Sequence, residues 1–110
     1  MTFNDYQVKA LTSATYPGVG SGSVIYPTLG LVGEAGEVAE KVKKMIRDGG
    51  GTMTPEIRVA VMLEVSDVLW YVAAIATELN FRLDDVAQAN LDKLASRKAR
   101  GVLGGSGDSR

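Results

Sequence analysis

The sequence predicts an all-α protein, a four-helix bundle completed by dimerisation. Three observations carry that expectation. Apolar residues recur at helical spacing in four separate stretches, groups of glycine fall between or after most of them, and strand patterning is nearly absent, with Val24-Ile25-Tyr26 the one short candidate. A chain of 110 residues has the length of one domain, expected over residues 1–100, with the glycine-rich GVLGGSGDSR of residues 101–110 as a flexible tail.

The first helix is expected from about Phe3 to Ala14. Thr2 is placed to cap it and Asp5 stands at the third helical position, a short-armed capping box, while Phe3, Tyr6, Ala10, Leu11 and Ala14 share one face. A loop from Tyr16 to Tyr26 follows, too rich in Gly and Ser for regular structure. The second helix is expected from Thr28 to Asp48-Gly49. Leu31, Ala35, Val38, Val42, Met45 and Ile46 form its apolar stripe, and Lys41, Lys43, Lys44 and Arg47 crowd its C-terminal half, where cations suit the helix dipole. Gly49, Gly50 and Gly51 are a natural stop.

Thr54 as cap, Pro55 at the first position and Glu56 next start a third helix that runs to about Asn80. At 1.5 Å per residue it is roughly 40 Å long. It is apolar nearly all round, so it requires cover on most sides; a chain this short cannot wrap it, and a second subunit is expected on part of it. The fourth helix spans about Leu83 to Ala99, with Asp84 and Asp85 in its first turn and Lys93, Arg97, Lys98 and Arg100 near its end. Leu83, Val86, Ala87, Asn90, Leu91 and Leu94 form its inner face.

Composition removes several classes of chemistry. Lys and Arg total 12 against 13 Asp and Glu, a formal net charge of −1, which argues against a nucleic-acid polymer or a membrane surface held by bulk charge. The absence of Cys excludes disulfides, thiolate metal sites and a cysteine nucleophile; the absence of His excludes Ser-His-Asp catalysis, H-E-x-x-H zinc sites and Glu-x-x-His di-iron bundles. Acid–base and metal chemistry must rest on carboxylates, Lys, Tyr or activated water. No signal-peptide pattern opens the chain, and the longest apolar stretch, Val59 to Ala76, carries Glu64 and Asp67 at its centre. The expected location is cytoplasmic.

Those acids are misplaced for an ordinary helix. With Glu64 at 0° and about 100° per residue, Asp67 falls near 300°, Tyr71 near 340° and Ile57 and Ile75 near 20°, so both carboxylates sit within an apolar stripe. On the second helix, Glu34 and Glu37 border the Leu31, Val38 and Val42 face in the same i, i+3 spacing. Packed antiparallel, the two helices would bring four carboxylates together. Two carboxylates about 5 Å apart repel by roughly 3 kcal/mol at an effective dielectric near 20, so the group needs protons, basic partners or a divalent cation. All-oxygen ligation suits Mg²⁺, with Mn²⁺ a possible substitute. Solvated pairing with Lys41 or Arg residues is the ordinary alternative for both acidic pairs, Glu34-x-x-Glu37 and Glu64-x-x-Asp67. Gly30, Gly33 and Gly36 either admit a close neighbour or ligand beside these acids, or serve tight helix packing. Trp70 and Tyr71 read as core residues before base-stacking ones.

The segments LGLVGEAGEVAEKVKK, LEVSDVLWYVAAIA and NLDKLASRKARG resemble the MazG-like nucleotide pyrophosphohydrolases of the all-α NTP pyrophosphatase superfamily, over about residues 28 to 101. Gly33 stands where the family's longer E-E-x-x-E motif has its first Glu, a departure also found in members similar to dCTP pyrophosphatases. The resemblance implies that Glu34, Glu37, Glu64 and Asp67 hold Mg²⁺ and that Asn90 and Lys93, with Arg97, contact the nucleotide and its phosphates. It implies hydrolysis of a nucleoside triphosphate, NTP or dNTP, to a monophosphate and pyrophosphate, with Glu37 the candidate base for water and a homodimer or homotetramer as the assembly. Lys93 and Arg97 have a plainer alternative as charges complementing a helix C-terminus. A non-catalytic nucleotide-binding or dimerisation module is the competing function.

Overall fold

The computed structural model describes residues 1–110 and is all-α, with four helices and no strand. They are α1 (Phe3–Ala10), α2 (Ile25–Gly49), α3 (Pro55–Glu78) and α4 (Leu83–Ala99). The capping box of α1 is formed as expected, with Thr2 and Asp5 exchanging side-chain to backbone hydrogen bonds at 2.9 and 3.0 Å. The α-helix ends four residues before Ala14, and Leu11–Ser13 tighten into a 3-10 turn. There the Thr12 and Ser13 hydroxyls donate back to the Lys9 and Ala10 carbonyls at 2.6 and 3.0 Å, competing with the α-helical ladder.

The strand candidate Val24-Ile25-Tyr26 is not a strand, because α2 begins at Ile25, three residues before Thr28. Pro27 occupies its first turn, where a missing N–H costs nothing, and Thr28 N–H already reaches the Val24 carbonyl at 3.0 Å. Gly50, in the left-handed region at φ 62°, closes the other end. Thr54 caps α3 by accepting from Ile57 N–H at 3.2 Å.

α2 and α3 form an antiparallel hairpin: Gly30 faces Tyr71, Lys41 faces Glu64, and Met45 and Ile57 line one crevice near the turn. By length and composition alone α3 is long and apolar enough to cross a membrane; here α2 packs along it, and α1 and α4 lie against it. α1 also supplies caps to α4. Gln7 accepts from Leu83 N–H at 2.8 Å and Asn4 from Asp84 N–H at 3.0 Å, satisfying two of the orphan donors of that helix end. Trp70 fastens the α1 terminus by donating its indole N–H to the Ala10 carbonyl at 3.0 Å.

Gly30 is the glycine whose lack of a side chain decides a contact. A Cβ there would overlap the Tyr71 ring, whereas one at Gly33 or Gly36 would meet nothing within 4 Å. Gly30 thus serves tight helix packing inside the chain. Gly30→Ala is expected to cost about 1–3 kcal/mol, the usual penalty of overpacking. In a Tyr71→Ala background the same change should cost much less; equal losses of melting temperature in both backgrounds would contradict the contact.

The buried core is small and sits at the C-terminal half of α3, where Ala73, Ala76 and Leu83 gather Tyr6, Leu11 and Val72 around them. The exposed surface is 7450 Å², against about 5,800 Å² expected of a self-contained monomer of this mass. The radius of gyration is 16.7 Å, against about 13 Å for a compact domain of this length.

Candidate metal centre

The hairpin places Glu34 of α2 opposite Glu64 and Asp67 of α3. Each offers a carboxylate oxygen, and these oxygens lie within 4.8 Å of one another. The i, i+3 spacing puts Glu64 and Asp67 on one face of α3, and the antiparallel register brings Glu34 to that face. Glu34 and Glu64 are half-buried and Asp67 is exposed. Glu37 is not in the group of three; it stands exposed nearly one helical turn further along α2. The nearest cation is Lys41, whose Nζ is 3.7 Å from Glu64 Oε1. Lys41 therefore pairs across the hairpin with Glu64 and leaves an excess of negative charge. Three converging carboxylates with no nitrogen or sulfur donor are a set suited to a hard divalent cation.

Electrostatics bear the crowding out. Burial, then the charges of Asp67, Glu64 and Glu37, hold the Glu34 carboxyl above the usual glutamate range. Two phenols flank the acids. Burial and then the Asp67 charge push Tyr6 up; burial pushes Tyr71 up, followed by Tyr26, Glu34 and Asp67. A raised carboxyl favours the folded state while protonated, so the fold is helped below the ordinary glutamate range and penalised as pH rises through the raised value. Glu34→Gln should consequently melt on the order of a few degrees higher than the wild type at pH 7 without metal. The gain should vanish as pH falls below the ordinary glutamate range. A variant less stable than wild type at pH 7 would contradict mutual repulsion among these acids.

On α4, Asn90 and Lys93 line an open cavity of about 480 Å³ with Phe81, Asp85, Val86 and Ala89. No residue of the acidic group lines it. Lys93 is half-buried, and its Nζ lies 3.0 Å from Asp108 Oδ1. Arg97 is 5% exposed, and its Nη2 lies 3.0 Å from that same oxygen. Residues 101–110 form a run of turns folded back on α4 to make these contacts.

Residues 27–102 match the family model of the MazG nucleotide pyrophosphohydrolase domain. The chain belongs to the MazG family. The "Gene 37 protein" of Mycobacterium phage L5 is 52% identical to this MazG protein over 109 residues, covering 96% of each chain. No solved structure matches it. MazG domains are all-α and typically depend on a divalent metal, in keeping with the acidic group at the hairpin.

This MazG domain also holds residues that sequence reading passed over. Glu78 is buried, and both its oxygens accept from Gly20 N–H, at 2.6 and 3.1 Å, while the Tyr16 hydroxyl donates to it at 3.3 Å. The loop after α1 is thereby tied to the end of α3, through turns in which Gly18, Gly20 and Gly22 all have positive φ. Tyr16 in turn stacks on Tyr26 at 5.9 Å and meets Trp70 edge-on at 6.0 Å. A signal for Glu78 existed in the sequence: it falls about 40° from Glu64 on the helical wheel, the same side as Asp67. Nothing in the spacing marked Asp108, which reaches α4 only through the fold of the tail.

Proposed function

We propose that this protein is a Mg²⁺-dependent nucleoside triphosphate pyrophosphohydrolase, converting an NTP or dNTP and water to the monophosphate and pyrophosphate, with Mn²⁺ able to replace Mg²⁺. The observation that carries the reading is the meeting of Glu34, Glu64 and Asp67 across the α2–α3 hairpin in a MazG-family chain. Those three would hold the cation, and Glu37 would complete the set or act from beside it. When bound, a divalent cation supplies neutralisation of polyphosphate charge and polarisation at phosphorus. Glu37, exposed and outside the close group, is suited to orient water or accept its proton. Asn90, Lys93 and Arg97 would bind the nucleotide and its phosphates, the two cations by charge-assisted hydrogen bonds. Pyrophosphate release over a panel of ribo- and deoxyribonucleotides, with and without Mg²⁺, tests the reading. Metal-dependent thermal stabilisation by nucleotide without release would instead favour a non-catalytic binding module.

The assembly proposed is a homodimer or homotetramer. Ile25, Leu29 and Val32 form an exposed apolar stripe on α2, and Val59, Met62, Leu63 and Val65 are exposed on α3. The surface in excess of a self-contained monomer is about 1,600 Å², ample for a standard interface of about 800 Å² per partner. Light scattering should give at least twice the 11.6 kDa chain mass at micromolar concentration; the mass of one chain would contradict the proposal.

A further inference from the structure

Lys93 Nζ and Arg97 Nη2 converge on one oxygen, Oδ1 of Asp108, at 3.0 Å each. Arg97 is 5% exposed, its Nη2 reaches only one other acceptor, the Gly107 carbonyl at 3.4 Å, and its Nε has no partner. A buried guanidinium charge calls for an anion beside it, and its unpaired Nε still has room for an acceptor. The anion supplied here is itself exposed to solvent. Asp108 is 82% exposed, and it is carried on a segment with glycine at 101, 104, 105 and 107. The Lys93–Asp108 pair is accessible to solvent on both sides and so contributes little net stability, and ordering a glycine-rich segment is entropically costly. A carboxylate also offers two oxygens where a phosphoryl group offers three, with more charge to share between a Lys and a fork-shaped guanidinium.

We propose that Asp108 is an internal stand-in for a phosphoryl group, so that the C-terminal segment competes with the polyphosphate of substrate or product for Lys93 and Arg97. The inference rests on the reading of these two cations as phosphate ligands. Binding then requires Asp108 to leave, and the apparent affinity is reduced by the fraction of chains in which it is in place. The ion pairs hold the Asp108 carboxyl below the usual aspartate range, first through Lys93 and then Arg97, so the competitor stays charged at neutral pH.

The test is calorimetric titration of inorganic pyrophosphate into the full chain in EDTA, where no metal at the acidic group contributes. Asp108→Asn should bind pyrophosphate about three- to tenfold more tightly than wild type, and Lys93→Ala more weakly. Asp92→Asn, the same charge change one residue from Lys93, controls for general electrostatics and should alter affinity far less. In wild type, pyrophosphate should also shift the Gly105 and Gly107 amide resonances. Unchanged affinity in Asp108→Asn beside a loss in Lys93→Ala overturns the competition while leaving the phosphate reading intact. An equal gain in Asp92→Asn overturns it as well. Affinity indifferent to Lys93→Ala overturns the phosphate reading, and the competition with it.

Discussion

Glu64→Gln and Asp67→Asn are each expected to lower nucleotide turnover by at least about a thousandfold while leaving the helical fold intact. A bound cation contributes several kcal/mol of transition-state charge stabilisation, and each 1.36 kcal/mol is a tenfold change in rate. Each substitution keeps side-chain shape but removes one charge from three carboxylates packed within 4.8 Å. The metal-free variants should be no less stable than wild type, because the change relieves repulsion. Glu64→Gln does forfeit its pairing with Lys41, which at 3.7 Å and partly exposed is worth under about 1 kcal/mol. Circular dichroism, Mg²⁺ titration and pyrophosphate release together check the expectation. Full activity, or loss of helix content, would contradict it.

Lys93→Ala separates the nucleotide from the metal. Lys93 lies on α4, in a cavity that none of the clustered acids lines. Losing a charged hydrogen bond to a phosphate oxygen costs about 1.5–3 kcal/mol, so catalytic efficiency should fall roughly ten- to a hundredfold or somewhat more. Mg²⁺ affinity measured without nucleotide should be nearly unchanged. The acidic variants should show the reverse order, with metal affinity lost first. Wild-type kinetics in Lys93→Ala would reduce Lys93 to a helix-end charge.

The parts of the molecule legible in the sequence are those governed by local rules. Thr2, Thr54 and the Gly49–Gly51 run marked helix ends because caps and left-handed turns depend on a few adjacent residues. Glu64 and Asp67 stood out because a helix wheel set them in an apolar stripe, and the hairpin register then brought Glu34 to meet them. The start of α2 was not legible. Pro27 and the preceding Gly and Ser suggested a loop running to Tyr26, yet a proline is harmless in a first helical turn. Contacts between distant segments were beyond the reach of spacing. Gln7 on the start of α4, Glu78 on Gly20, and Asp108 on Lys93 and Arg97 each join residues that no periodicity relates. Of the four candidate ligands Glu34, Glu37, Glu64 and Asp67, Glu37 shares the i, i+3 pattern but lies outside the close group, because packing, not spacing, decides which carboxylate leans across the hairpin.

The measurement that bears most directly on the proposed activity is ³¹P NMR of a nucleoside triphosphate incubated with the protein and Mg²⁺. Cleavage between the α and β phosphates predicts growth of monophosphate and pyrophosphate resonances in equal amounts, abolished by EDTA and by Asp67→Asn. Diphosphate and inorganic phosphate as products, or an unchanged triphosphate spectrum across the nucleotide panel, would contradict it.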